Sequence, residues 1–238
     1  MASKGKSMLL KKTILIIFVL TCVSALWGGD TASFVDLGFS PDGRTYMFGQ
    51  YGVLSQSLKP WAEVFVVDVR SNNFVQNGKI SFTQNSPIKA GQDGSGVLYQ
   101  LINNNSGFVN RYGINFQNQG LPLYIARDEN PPMNGEIIDF RDFVSGKSYR
   151  AELVSTVFNS GSSISSSFYI NLESRSPNGQ VKNYTVGNPQ IKRPQTASYN
   201  IKKVLIDADG ESLIFVIEMK KIAENSHDIR YMIEALRL

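Results

Sequence analysis

The chain has 238 residues, 24 Lys and Arg against 20 Asp and Glu, one His and one Cys, for a net charge of +4. A single cysteine excludes a disulfide framework, and one His with one Cys leaves no ordinary zinc or copper ligand set. The charge is unevenly placed: Lys4, Lys6, Lys11 and Lys12 precede Ala25 and account for the whole excess, leaving equal numbers of each sign after it. A general attraction to nucleic acid or to an anionic membrane therefore loses its support.

Those four lysines open the chain and are followed by an apolar run, Ile14 to Leu20, and by small residues at Val23-Ser24-Ala25. A basic segment, a short apolar core and a V-S-A site have the layout of a secretory signal peptide over residues 1–25. The run is too short for a spanning helix, which needs about 20 residues. An uncleaved signal anchor and a lipid attachment at Cys22 are the alternatives; Thr21 before the cysteine fits lipidation poorly. Export to the periplasm or beyond is the expectation, with no integral span after signal removal. About 213 residues remain at 26–238, enough for one β-rich domain.

From Ser33 short apolar runs alternate with turn residues. Strands are expected at Ser33–Phe39, Arg44–Tyr51, Ala62–Val69 and Phe74–Phe82, the last weakened near Asn77-Gly78. The Ser40-Pro41-Asp42-Gly43 turn uses proline to preset φ, aspartate to bond the backbone and glycine to accept positive φ. Four strands in sequence with short turns read as an antiparallel meander. The β-branched run Ala62–Val69 is expected to be central in its sheet.

Gly91 to Gly113 changes character. Val97, Leu98, Leu101, Ile102, Phe108, Val109 and Tyr112 recur at helical spacing, predicting a helical insert at about 94–112 with Ser95 as its cap. Its apolar stripe is expected to cover one face of a sheet. Asn115 to Gly135 reads as loop.

β patterning returns at Ser148–Phe158 and Ser167–Ser174, joined by the Ser/Gly-rich NSGSSISS loop, and at Val181–Val186 after the Ser176-Pro177-Asn178-Gly179 turn. Gly187–Ser198, with Pro189 and Pro194, suits a loop or an edge. The end echoes the beginning. Val204–Phe215 lies over Leu37–Phe48 with Asp209-Gly210 on Asp42-Gly43, and Tyr231–Glu234 is matched to Phe65–Asp68 with a gap one residue different.

The stretch Gly38-Phe39-Ser40-Pro41-Asp42-Gly43-Arg44 with the Phe65-Val66-Val67-Asp68 strand resembles a blade of TolB-like and WD40-like propellers. With Phe48 and Tyr51-Gly52-Val53, the chain more closely resembles a family of predicted secreted proteins, domain of unknown function 2259. That resemblance implies export and assigns no activity. The length left by the insert and loops is short for a propeller of four or more blades. The expected fold is mainly β: antiparallel meanders packed as a β-sandwich or open two-sheet structure with a short helical insert. An incomplete or small β-propeller is the alternative.

Candidate sites are few. His227 lies in the polar segment Glu224–Asp228 with no G-x-S-x-G elbow to serve. Asp207-Ala208-Asp209-Gly210-Glu211 with Glu218 has an EF-hand outline, but its glycine is two places early and Leu213–Ile217 is a β run. A loose Ca²⁺ contact at Asp207–Asp209 or Asp128–Glu129 is the one cation candidate. Asp68, Asp139, Asp142 and Glu218 are carboxylates a glycosidase would pair. Tyr46, Phe48, Tyr51 and Trp61 could form an aromatic platform; Trp61 is placed at the end of a loop, within reach of a partner. Accordingly no catalytic residue, cofactor or metal is expected, and Trp61, Tyr51 and Tyr46 are the candidate partner contacts. The function expected is a noncatalytic binding or scaffold module in the periplasm or cell envelope, meeting another exported protein or itself. A carbohydrate-binding or carbohydrate-acting protein is the alternative.

Overall fold

A computed structural model describes residues 29–127, 134–160, 163–223 and 226–238. The signal segment and Cys22 lie outside them, as do Asp128 and Glu129. The strands are β1 (Ser33–Phe39), β2 (Thr45–Val53), β3 (Pro60–Asp68) and β4 (Asn73–Thr83), then β5 (Leu121–Ile125), β6 (Ile137–Arg141), β7 (Ser148–Ser160), β8 (Ser163–Arg175), β9 (Val181–Val186) and β10 (Arg193–Pro194). The C-terminal ones are β11 (Thr196–Ile206), β12 (Ser212–Ala223) and β13 (Ser226–Arg237). Two short helices, α1 (Ser95–Asn104) and α2 (Ser106–Arg111), form the insert.

Three antiparallel sheets are stacked. Sheet I is the meander β1-β2-β3-β4; sheet II runs β10-β8-β7-β6 with β9 also on β8; sheet III runs β13-β12-β11-β5. Side chains alternate across a strand, and sheet III is apolar on both sides. Leu213, Phe215 and Ile217 of β12 join Ala151, Leu153, Phe168 and Ile170 of sheet II in one core. Ile214 and Val216 of β12, with Ile233 and Ala235 of β13, join Phe39, Tyr46, Phe48 and Phe65 of sheet I in a second. The outer face of sheet I (Leu37, Met47, Val64, Val66) is covered by Val97, Leu98, Leu101 and Val109 of the helices. The order of layers is helices, sheet I, sheet III, sheet II. The two terminal meanders pack together as expected, and the stack does not close into a propeller.

Some expectations are corrected. The helix N-cap is Gly94; Ser95 is the first helical residue, and its N–H and hydroxyl both donate to Asp93. Gly94 sits where an added Cβ would lie 2.6 Å from the Gly52 carbonyl oxygen, so the helix starts against β2 at van der Waals limit. The NSGSSISS segment is mostly strand: β7 and β8 continue to Ser160 and Ser163, because Ser166 finds partners in the Thr196 carbonyl and the Tyr199 hydroxyl. The 115–135 loop contains β5, an edge strand on β11. The last match of the repeat shifts by three residues: Phe48 faces Phe65, whereas Phe215 faces Glu234.

Candidate functional site

The expected aromatic platform does not assemble on the surface. Tyr46 and Phe48 turn into the core between sheets I and III, while Tyr51 packs against the cluster beneath the helices. Burial first, and then the neighbouring Asp36 carboxylate, push the Tyr46 phenol well above its usual range. Trp61 is the second residue of β3 rather than a loop end, and it is 6% exposed. The Arg230 guanidinium lies 4.4 Å from its ring centre and closes it off.

The carboxylates are likewise dispersed. Asp68 ends β3 in sheet I, Asp139 and Asp142 flank the end of β6 in sheet II, and Glu218 is on β12. Asp68 accepts the Ser71 N–H, Asp139 pairs with Arg150 at 3.4 Å, and Glu218 accepts the Tyr231 hydroxyl at 3.2 Å. Asp207 accepts the N–H groups of Glu211 and Ser212 at 2.8 and 3.0 Å and faces Arg237 at 3.7 Å, which makes it a turn residue. His227 is exposed on β13 opposite Ile222. Among the described residues no three His, Cys, Asp or Glu side chains come together to hold a metal.

The concave feature is elsewhere. In sheet I, β3 has β4 as its outer neighbour. In sheet III, β13 occupies the corresponding third position after β11 and β12, and no described strand lies beyond it. A cleft of about 1080 Å³ runs along this edge. Its back wall is β13 from Arg230 to Arg237. Phe65, Phe74 and Lys79 of sheet I form one side, and the segment Thr185 to Pro194, from β9 to β10 of sheet II, forms the other.

Backbone groups of an antiparallel edge strand point outward at every second residue. On β13 these are the odd positions. Ile229 exchanges hydrogen bonds with Asp30 and Ala32. Further along, side-chain amides take over: Gln50 Oε1 accepts the Tyr231 N–H at 2.8 Å and Asn72 Oδ1 accepts the Ala235 N–H at 2.6 Å. Ile233 lies between them with its N–H and carbonyl turned to the cleft. Asn72 adopts φ of 52° in the β3–β4 turn, a left-handed conformation that asparagine tolerates, and this aims its side chain at β13.

Where the three sheets meet, Glu234 is nearly buried. Arg193 Nη2 lies 3.2 Å from its Oε1, and the Asn72 amide donates to Oε2. Burial is the main influence on its carboxyl and pushes the pKa up, against the Asn72 hydrogen bond and the Arg193 charge. Arg193 also lies over the Phe168 ring at 4.7 Å. Six Lys and Arg but only two Glu line the cleft, and both Glu are paired: Glu63 with Lys79 at 2.7 Å and Glu234 with Arg193. Arg230 and Arg237 answer to acids behind the wall, Asp30 and Asp228, and Asp207 and Glu211. Arg70 and Lys221 remain as its uncompensated cations among the described residues. Exposed Phe74 and Ile191 stand at the rim.

Residues 47–237 match the family described as predicted secreted protein, domain of unknown function 2259. The chain belongs to this family. No curated protein and no solved structure matches it. The family match runs from β2 to the last residue of β13, so both walls of the cleft lie within it. Among the described residues no helix is long and apolar enough to cross a membrane. Sequence reasoning missed the cleft because its makers are ordinary in sequence: Gln50, Asn72 and Arg193 carry no motif. The repeat aligns β13 with β3, and nothing in it reports what lies beside either strand.

Proposed function

We propose that this exported chain is a noncatalytic binding module of the periplasm or cell envelope. The cleft beside β13 receives an extended segment of another exported protein. One observation carries the reading: β13 presents a strand edge along a cleft of about 1080 Å³ at the place where β4 lies in sheet I. Extended peptides use such edges, their backbone pairing with the strand and their side chains filling flanking pockets. Gln50 and Asn72 hold the outward N–H groups of Tyr231 and Ala235 in the free protein, which keeps the edge from pairing indiscriminately. Phe74 and Ile191 supply apolar contact, and Arg70 and Lys221 favour a segment carrying acidic side chains.

A photo-crosslinking side chain in place of Phe74, in the exported chain within its native envelope, tests this. A discrete protein adduct is expected, weakened several-fold by Ile191→Glu on the opposite wall. An adduct with a second copy would name self-association as the use of the cleft. Absence of any protein adduct, together with glycan-array binding abolished by Phe74→Ala, would overturn the reading in favour of a carbohydrate ligand.

A further inference from the structure

At the far end of sheet II, β6 and β7 are joined by Asp142-Phe143-Val144-Ser145-Gly146-Lys147. Phe143 is 87% and Val144 90% exposed; the next most exposed large apolar side chain, Tyr99, is 65% exposed. A single exposed apolar side chain is ordinary, whereas adjacent ones rimmed by polar residues mark an interaction site. Here the backbone beneath them is fixed. Asp142 is buried, and its carboxylate accepts the Val144 N–H at 2.9 Å, the Ser145 N–H at 3.2 Å and the Ser145 hydroxyl. Backbone bonds from Gly146 to the Asp142 carbonyl and from Asp142 to the Lys147 carbonyl, both 2.9 Å, close the turn. Gly146 takes φ of 72° and abuts Pro177 of the β8–β9 turn, where an added Cβ would lie 3.1 Å from the proline ring. The turn is braced from the side and holds two apolar side chains outward.

We infer that this tip is a membrane-surface anchor: Phe143 and Val144 enter the acyl boundary of a lipid leaflet while Arg141 and Lys147 meet anionic headgroups. Three observations favour lipid over protein. The patch is convex and two residues wide, well short of the roughly 800 Å² per partner that a stable protein interface buries. Cations flank it, with the Arg141 guanidinium 5.9 Å from the Phe143 ring centre and Lys147 closing the turn. The one carboxylate in the turn, Asp142, is turned inward and occupied by the turn's own donors. Arg175 and Lys182 border the neighbouring β8–β9 turn, Arg175 being paired with Glu173 at 3.1 Å. Apolar side chains at the headgroup boundary together with nearby cations give weak, reversible, anion-dependent attachment. The tip is separate from the β13 cleft, so either assignment can fail alone.

Vesicle flotation of the exported form of the chain tests the inference. Vesicles of phosphatidylglycerol and phosphatidylethanolamine are compared with vesicles of phosphatidylcholine alone. Binding to the anionic vesicles is expected, weakened at least tenfold by Phe143→Ser with Val144→Ser and severalfold by Arg141→Gln with Lys147→Gln. Phe74→Ser in the cleft should leave it unchanged, and circular dichroism should show the tip variants folded, since neither side chain is in a core. Equal flotation of the wild type and the Phe143/Val144 double variant overturns the proposal. So does failure of the wild type to bind either vesicle, and a protein adduct from a photo-crosslinker at position 143 would then assign the tip to a protein partner instead.

Discussion

The N-terminal and C-terminal meanders use one local plan in two settings. In both, a four-residue turn closes with a Gly N–H donating to the carbonyl three residues earlier: Gly43 to Ser40 at 3.0 Å, Gly210 to Asp207 at 3.1 Å. Both glycines have positive φ, 65° and 71°. Phe39 faces Tyr46 as Ile206 faces Leu213. The difference lies in what surrounds them. β2 is covered by helices on one side and a sheet on the other, whereas β12 is covered by a sheet on each side. β3 has a fourth strand beside it, whereas β13 has a cleft. Local turn chemistry thus sets the hairpin, and the neighbouring layers decide whether its third strand is interior or open.

Large-to-small changes at the second strand test the layering with the largest effect. Phe215→Ala should lower the unfolding free energy by about 4 kcal/mol in a urea titration, because sheets II and III, which enclose the side chain, are too constrained to collapse into the gap. Met47→Ala, under the single helical layer of Leu98 and its neighbours, should cost about 3 kcal/mol by the same urea titration. A reversed order would place sheet III at the outside of the stack.

The third strands differ in their ion pairs. Arg193–Glu234 is largely buried, and Arg193→Leu should cost about 3 kcal/mol, since it strands a buried carboxyl. Glu63–Lys79, on β3 and β4, is half exposed, and Lys79→Leu should change stability by under about 1 kcal/mol. Salt titration separates them further, because only the exposed pair is well screened.

At the turns the effects are smaller. Asp207→Ala should cost about 2 kcal/mol, as it leaves two backbone donors without their acceptor and removes one of the two acids that face Arg237. Asp42→Ala, at an exposed turn, should cost about 1 kcal/mol or less. Gly43→Ala should cost more than Gly210→Ala. Both force alanine into positive φ at about 1 kcal/mol, but only at Gly43 does the new Cβ meet a neighbour, Asp207 Oδ2 at 2.8 Å.

Two carboxyls make the contrast visible in pH. The Ser40 hydroxyl first, then the Arg44 N–H and charge, hold Asp42 below its ordinary 3.8. Its contribution to stability is therefore present above the unfolded value and lost as pH falls through the folded one. Glu234 is raised above 4.5, chiefly by burial, so its contribution runs the other way: present below the unfolded value and lost as pH rises through the folded one. Side-chain carbon shifts followed by NMR should give midpoints on opposite sides of these ordinary values.

Much of this architecture is legible in residues. Ser33–Phe39 and Val181–Val186 are strands with the boundaries their patterning predicts, and the α1 and α2 stripe covers a sheet as its spacing requires. β5 was hidden because Leu121-Pro122-Leu123 sits on an edge, where proline is tolerated and the apolar signal is short. Tyr46 looked available because a strand pattern does not reveal which face a second sheet will cover, and Trp61 because its position after Lys59-Pro60 reads as a loop end, whereas β3 begins at Pro60 and Arg230 lies over the ring. The cleft depends on contacts between residues far apart in sequence, Asn72 with Ala235 and Arg193 with Glu234, which no local pattern encodes.

The central claim is that β13 is an unfilled edge guarded by two side-chain amides. Amide hydrogen exchange along β13 of the free protein measures it most directly. The account predicts that Ile233 exchanges markedly faster than Tyr231 and Ala235, and that Asn72→Ala removes the protection of Ala235 while leaving Tyr231 unchanged. Protection of Ile233 equal to that of Val64 and Val66 in the interior strand β3 would contradict it.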